Sequence, residues 1–138
     1  MRQGIQADFP QEALRKEGCY FFTLLRWAEI IRGGGFEYSN ADILKMYGIC
    51  VEAGCMEEDC FIVNPVSVMN FCAGGGRQFK TVYRSINKPS VQFFPIYLKK
   101  PGHGHFVLGD QVGVLWDSYD PNRPGAKDYK VDSYRVII

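Results

Sequence analysis

The run Gly18-Cys19-Tyr20-Phe21-Phe22-Thr23-Leu24-Leu25-Arg26-Trp27-Ala28-Glu29-Ile30-Ile31-Arg32 decides how the chain reads. Its polar members Thr23, Arg26, Glu29 and Arg32 recur at every third position and form one narrow stripe. Everything else is apolar, so the spacing predicts a helix over 19–32 that is enclosed on most sides. The charged lead-in Arg15-Lys16-Glu17 places Cys19 in the first turn, and Gly33-Gly34-Gly35 ends the helix. A helix start carries unpaired N–H groups and roughly half a positive charge. Both stabilise a thiolate, the nucleophilic form of cysteine.

Upstream, residues 1–17 read as an irregular arm with a short helix from Gln11. Downstream, Ser39 with Asp42 three residues on predicts a capped helix over 40–53, with Ile43, Tyr47 and Val51 on one face and Gly54 closing it. Residues 60–63 read as a short strand. Asn64-Pro65 then opens a third helix over 65–72, stopped by Gly74-Gly75-Gly76. From there the pattern turns to β, with strands expected over 79–85, 91–98, 105–109, 114–119 and 129–138. Helices followed by an antiparallel sheet is an α+β arrangement, and 138 residues suit one domain, 1–138.

Composition excludes several classes. The net charge is +1 and the Lys and Arg residues are scattered, so nucleic acid is not an expected ligand. The first residues carry no apolar signal segment, and no apolar run is long enough to span a bilayer. A cytoplasmic location is therefore expected, with release by lysis or by a partner left open. The five cysteines, Cys19, Cys50, Cys55, Cys60 and Cys72, are odd in number and read as free thiols. The spacing Cys50-x4-Cys55-x4-Cys60 is wider than the paired ligands of structural zinc sites. No metal and no cofactor is expected, and these thiols read as core. None of the glycine runs carries the Lys-Ser/Thr of a phosphate-binding loop.

A cysteine nucleophile needs a base, and the base needs an orienting group. His103 falls in the turn Pro101-Gly102-His103-Gly104, whereas His105 opens a strand. His105 is the better base, because rigid elements hold catalytic groups in place. Gly102 and Gly104 would let a substrate backbone approach it. A hairpin turn centred on Gln111 pairs position 105 with position 117. Directly opposed residues share a face, so Asp117 becomes the orienter. Asp120, in Asp120-Pro121, is the alternative just beyond the strand.

Gly18-Cys19-Tyr20-Phe21 opening a helix, Gly104-His105-Phe106-Val107-Leu108, and a strand ending in Trp116-Asp117 together resemble the papain-like cysteine peptidase superfamily. The nearest likeness is to bacteriocin-processing peptidase domains and to small phage- or spirochaete-type relatives of unassigned activity. The resemblance implies a papain-like fold, with the Cys-bearing N-terminal helix packed on the C-terminal antiparallel sheet. It implies a Cys19-His105-Asp117 triad working through a thioester, with a peptide, protein or peptidoglycan peptide as substrate. Such enzymes commonly complete the oxyanion hole with a glutamine just before the nucleophile. Here Gln11 lies eight residues upstream and Gln6 thirteen, and the resemblance offers Gln11. The alternative is a catalytically silent papain-like binding module, with a phage-associated role left open.

Overall fold

A computed structural model describes residues 1–75 and 78–138. The expected glycine stop at Gly76 lies outside them. Four helices precede the sheet: α1 (Glu12–Glu17), α2 (Cys19–Arg32), α3 (Asn40–Glu52) and α4 (Pro65–Ala73). Five strands follow: β1 (Val82–Ser85), β2 (Phe94–Lys100), β3 (His103–Gly109), β4 (Val114–Trp116) and β5 (Lys130–Ile137). The fold is α+β, and every strand pairing is antiparallel in the order β1-β5-β2-β3-β4.

Local chemistry explains the helix limits. Ser39 Oγ accepts from the Asp42 N–H at 3.1 Å, and Asp42 Oδ2 accepts from the Ser39 N–H at 3.4 Å, a complete capping box for α3. Asn64 Oδ1 accepts from the Ser67 N–H at 3.2 Å, with Pro65 as the first residue of α4. Before α2 the chain turns within a single buried residue, Gly18. A Cβ there would run into the Leu14 carbonyl and press on the Phe22 ring. Gly18→Ala should therefore cost about 1–3 kcal/mol, seen as a fall of roughly 5–10 °C in Tm by calorimetry. A variant as stable as the parent would contradict this packing.

Phe21, Phe22, Leu24, Leu25, Trp27 and Ala28 of α2 form the centre of the main core, which also takes in Leu14, Ile43, Val68, Met69, Leu108 and Trp116. A smaller cluster of Phe94, Ile96 and Val107 lies within the sheet, where β2 and β3 pair. The polar stripe of α2 departs from expectation, because Thr23 and Glu29 are themselves buried. Each is satisfied internally, as buried polar groups must be. The Thr23 hydroxyl donates to the Cys19 carbonyl at 2.8 Å, and Glu29 Oε2 accepts from the Tyr38 N–H at 2.8 Å.

Several strand expectations need correction. Residues 60–63 do not form a strand; a lone bridge between Met56 and Ile62 shapes a loop instead. The first strand begins at Val82 rather than at position 79, because Lys80 and Thr81 donate to the Ile138 carbonyl before regular pairing starts. β4 ends at Trp116, short of the expected 119. β3 begins at His103, two residues earlier than its pattern suggested. Pro101-Gly102 turns the chain directly from β2 into β3, with Gly102 at φ 76°.

Candidate active site

β4 pairs with β3 only at Leu108 and Gly109, with a bulge between them. The edge of β3 before Leu108 would be left unpaired there, and α2 fills the gap. The Phe106 N–H donates to Cys19 Sγ at 3.5 Å, and the Thr23 hydroxyl lies 3.4 Å from the Phe106 carbonyl. The start of α2 thus covers this strand edge at Phe106 and sets the Cys19 sulfur beside the residue that follows His105. As the first residue of α2, Cys19 also has an N–H without a partner inside the helix.

His105 is fully buried. Its Nε2 lies 2.6 Å from Asp117 Oδ1, whereas its Nδ1 is buried with no hydrogen-bond partner. The ring stacks on Tyr119 at 3.9 Å and 5°, and the Arg123 guanidinium lies 4.8 Å from the centre of the Tyr119 ring. Asp117 Oδ1 also accepts from the Tyr119 N–H at 2.9 Å, and Oδ2 faces Arg123 at 3.3 Å. Burial pushes the Asp117 carboxyl up. The His105 hydrogen bond and charge, the Tyr119 N–H and Arg123 outweigh it and leave the pKa below the usual value. The carboxylate is thereby kept ionised and aimed at one imidazole nitrogen.

The expected 105–117 register is not what joins these residues. Leu108 pairs with Trp116, so Asp117 lies past the end of β4, and continued pairing would not set it opposite His105. The arm at 3–6 holds it there instead. Gln3 Oε1 accepts from the Asp117 N–H at 3.2 Å, and the Gly4 N–H donates to the Asp117 carbonyl at 3.2 Å. The Gln6 N–H donates to the Ser118 carbonyl at 3.1 Å, and the Ser118 hydroxyl donates to Gln6 Oε1 at 2.7 Å. Gln6 is thus fully buried and spent on this strap. Asp120 is exposed, and its Oδ1 closes a turn with the Asn122 N–H at 2.9 Å. His103 is exposed. Gln11 stands exposed at the start of α1, outside the cleft that holds Cys19, so its position lends nothing to the oxyanion role offered for it.

That cleft measures about 880 Å3, and its walls include Cys19, Tyr20, Cys60, Phe106 and Arg135. Gly104 lines it too, but not as an opening for a substrate backbone. The Tyr97 hydroxyl already fills the space a Cβ would occupy there. Two other depressions, beside Trp27 and beside Gly33–Gly35, are lined by no thiol, histidine or carboxylate among the described residues.

Cys19 is half-buried, and the other four thiols are buried. Burial pushes the Cys19 thiol up to about 11, against the pull of the Phe106 and Tyr20 N–H groups. A lone thiolate is therefore disfavoured here, and an adjacent proton acceptor becomes the decisive requirement. Cys60, at φ 70°, is the one non-glycine residue with positive φ among the described residues. Burial pushes its thiol up to about 12. Among the described residues no group of three or more His, Cys, Asp or Glu side chains is placed to hold a metal ion. No described helix is long and apolar enough to cross a membrane.

Residues 5–138 match the family described as "Protein of unknown function, DUF261". The chain belongs to that family. No match was found among curated proteins or among solved structures. Sequence patterns did not mark the contacts around Asp117: Gln3, Tyr119 and Arg123 touch Asp117 itself, Tyr119 also stacks on the His105 ring, and Gln6 holds the neighbouring Ser118. Of these only Gln6 had a visible trace, as an amide thirteen residues before Cys19 and outside the common spacing, and the role read for it there was not this strap.

Proposed function

We propose that this chain is a papain-like cysteine hydrolase, a peptidase or amidase, with Cys19 as nucleophile, His105 as base and acid, and Asp117 as orienter. The observation that carries the reading is the state of His105. One ring nitrogen is taken by an ionised carboxylate at 2.6 Å, and the other is buried and unpaired. The residue after it donates its N–H to the Cys19 sulfur. A buried polar atom without a partner is costly in a structural histidine and useful in a catalytic one.

The steps follow from these roles. The Cys19 proton passes to His105 Nδ1, and Sγ attacks the substrate carbonyl carbon. The oxyanion forms near the free N–H of Cys19 at the start of α2. His105 returns the proton to the leaving amine, the C–N bond breaks, and a thioester remains. Water, deprotonated by His105, attacks that carbonyl; the acid leaves and Cys19 Sγ regains the proton. Asp117 holds the ring tautomer throughout and faces the imidazolium when it forms. The order of elements, thiol on an N-terminal helix and histidine on a later strand, also supports the papain-like assignment.

A silent binding module is the second reading, and it is favoured by the missing hydrogen bond between His105 Nδ1 and any partner, Cys19 included. In resting enzymes such catalytic contacts are often loose. Comparison with glutathione at pH 6 separates the two readings. An ordinary thiol is then almost wholly protonated. An activated Cys19 should react with iodoacetamide at least about tenfold faster than glutathione, which exposure alone does not produce. A Cys19 slower than glutathione would favour the silent module.

A further inference from the structure

The cleft carries a second feature that the triad does not use. On the sheet face beside Cys19, Tyr97 pairs with Phe106 across β2 and β3, and with Ser133 across β2 and β5. Arg135 lies two residues beyond Ser133, hence on that same face. Its guanidinium sits 5.7 Å from the Tyr97 ring centre and 5.4 Å from that of Phe106. Its hydrogen bonds go from Nη1 alone, to Ser133 Oγ at 2.8 Å and to the Tyr134 carbonyl at 3.3 Å. Nη2 and Nε stay uncommitted, and no carboxylate pairs with Arg135 among the described residues. Tyr20 lines the same cleft and stacks on Phe106 at 4.0 Å, and its hydroxyl is buried without a hydrogen-bond partner among the described residues. Burial pushes the Tyr20 phenol up, and the charge that opposes this is Arg135.

We propose that the guanidinium of Arg135 and the hydroxyl of Tyr20 form a carboxylate-recognising subsite in the Cys19 cleft, so that the peptide bound there carries a carboxylate beside the bond presented to the thiol. A guanidinium lying over two rings and tethered through Nη1 to Ser133 presents an oriented fork, the geometry that binds a carboxylate with two parallel hydrogen bonds. The Tyr20 O–H supplies a further donor that nothing else satisfies. Two carboxylates, Glu17 and Asp59, also line the cleft, and charge repulsion keeps an anionic ligand group away from them. The ligand is called a substrate only on the strength of the hydrolase reading; the subsite itself stands on its own geometry. An acidic side chain and a chain-terminal carboxylate both have the required chemistry.

The test is binding of short peptides to the Cys19→Ala chain, followed by NMR up to about 10 mM. The probes are acetyl-Gly-Asp-Gly-amide, acetyl-Gly-Asn-Gly-amide, and acetyl-Gly-Asn-Gly with a free terminal acid. At least one acid should bind about tenfold or more tightly than the neutral amide, and which one does identifies the source of the carboxylate. Arg135→Gln should abolish the preference. Tyr20→Phe, which keeps the ring stack, should reduce it several-fold while leaving the neutral peptide unchanged. Equal binding of the three peptides, no binding at all, or a preference that survives both substitutions would overturn the proposal. Cys19 reactivity is measured separately. An inert Cys19 with a strong acid preference overturns the hydrolase reading alone, and a reactive Cys19 without that preference overturns the subsite alone.

Discussion

His105→Gln should slow alkylation of Cys19 at pH 7 by roughly 100-fold. Without an imidazole the thiol keeps the high pKa that burial imposes, about 11, so a fraction on the order of 10⁻⁴ is thiolate at pH 7. If Nδ1 accepts its proton as proposed, most of Cys19 should be thiolate at that pH. The gain in thiolate, about four decades, is partly offset because a low-pKa thiolate is a weaker nucleophile, by roughly half a decade per unit of pKa. About two decades survive. For the proposed hydrolysis the loss should be larger, about 10³-fold or more, because in that reading His105 also delivers the proton to the leaving amine. The measurement is stopped-flow alkylation with peptide mapping, and a fall of less than threefold would show that His105 does not govern the thiol. Since His105 is fully buried, Tm is recorded alongside, so that unfolding is not mistaken for lost activation.

The second large effect falls on Asp117, and it has two separable parts. Asp117→Ala removes the acceptor of His105 Nε2, of the Tyr119 N–H and of Arg123. Leaving such buried donors unpaired costs about 2–4 kcal/mol. Asp117→Asn keeps the shape but not the charge, and loss of the correct ring tautomer should lower turnover by about 10³–10⁴-fold at much smaller cost in stability. The sign with pH follows from the lowered pKa of Asp117. Its stabilising contribution is fully present above the unfolded carboxyl value, roughly 3.9, and is lost as pH falls through the lower folded value. The gap in Tm between the parent and Asp117→Ala should therefore be constant above about pH 5 and close as the solution is made more acid. A gap that widens below pH 4 would contradict an ionised, paired Asp117.

Much of the frame was legible because it depends on local chemistry. The periodic apolar run and its flanking glycines mark α2 from Cys19 to Arg32, and Ser39 with Asp42 marks the start of α3. Asn64-Pro65 marks α4, and Pro101-Gly102 separates two strands that do pair. The geometry around Asp117 was not legible. A bulge between Leu108 and Gly109 changes the pairing, and alternation alone does not reveal a bulge. Asp117 still reaches His105 because residues 3–6 tie the departing chain, a contact across more than a hundred residues that no local pattern encodes. Burial of the α2 stripe was missed for a related reason. Thr23 and Glu29 look solvent-facing by type, and contacts that periodicity does not reveal make them tolerable inside, Thr23 with the Cys19 and Phe106 carbonyls and Glu29 with the Tyr38 N–H and Arg26.

The measurement that most directly tests the triad is the pH dependence of Cys19 alkylation in the unmodified chain from pH 4 to pH 11. A thiol that shares its proton with an Asp117-oriented imidazole should already be reactive on a plateau below pH 7, with the plateau lost in His105→Gln. A rate that stays negligible at neutral pH and only climbs toward about 11, the value burial alone imposes, would contradict the account and leave Cys19 as the acceptor for a strand edge.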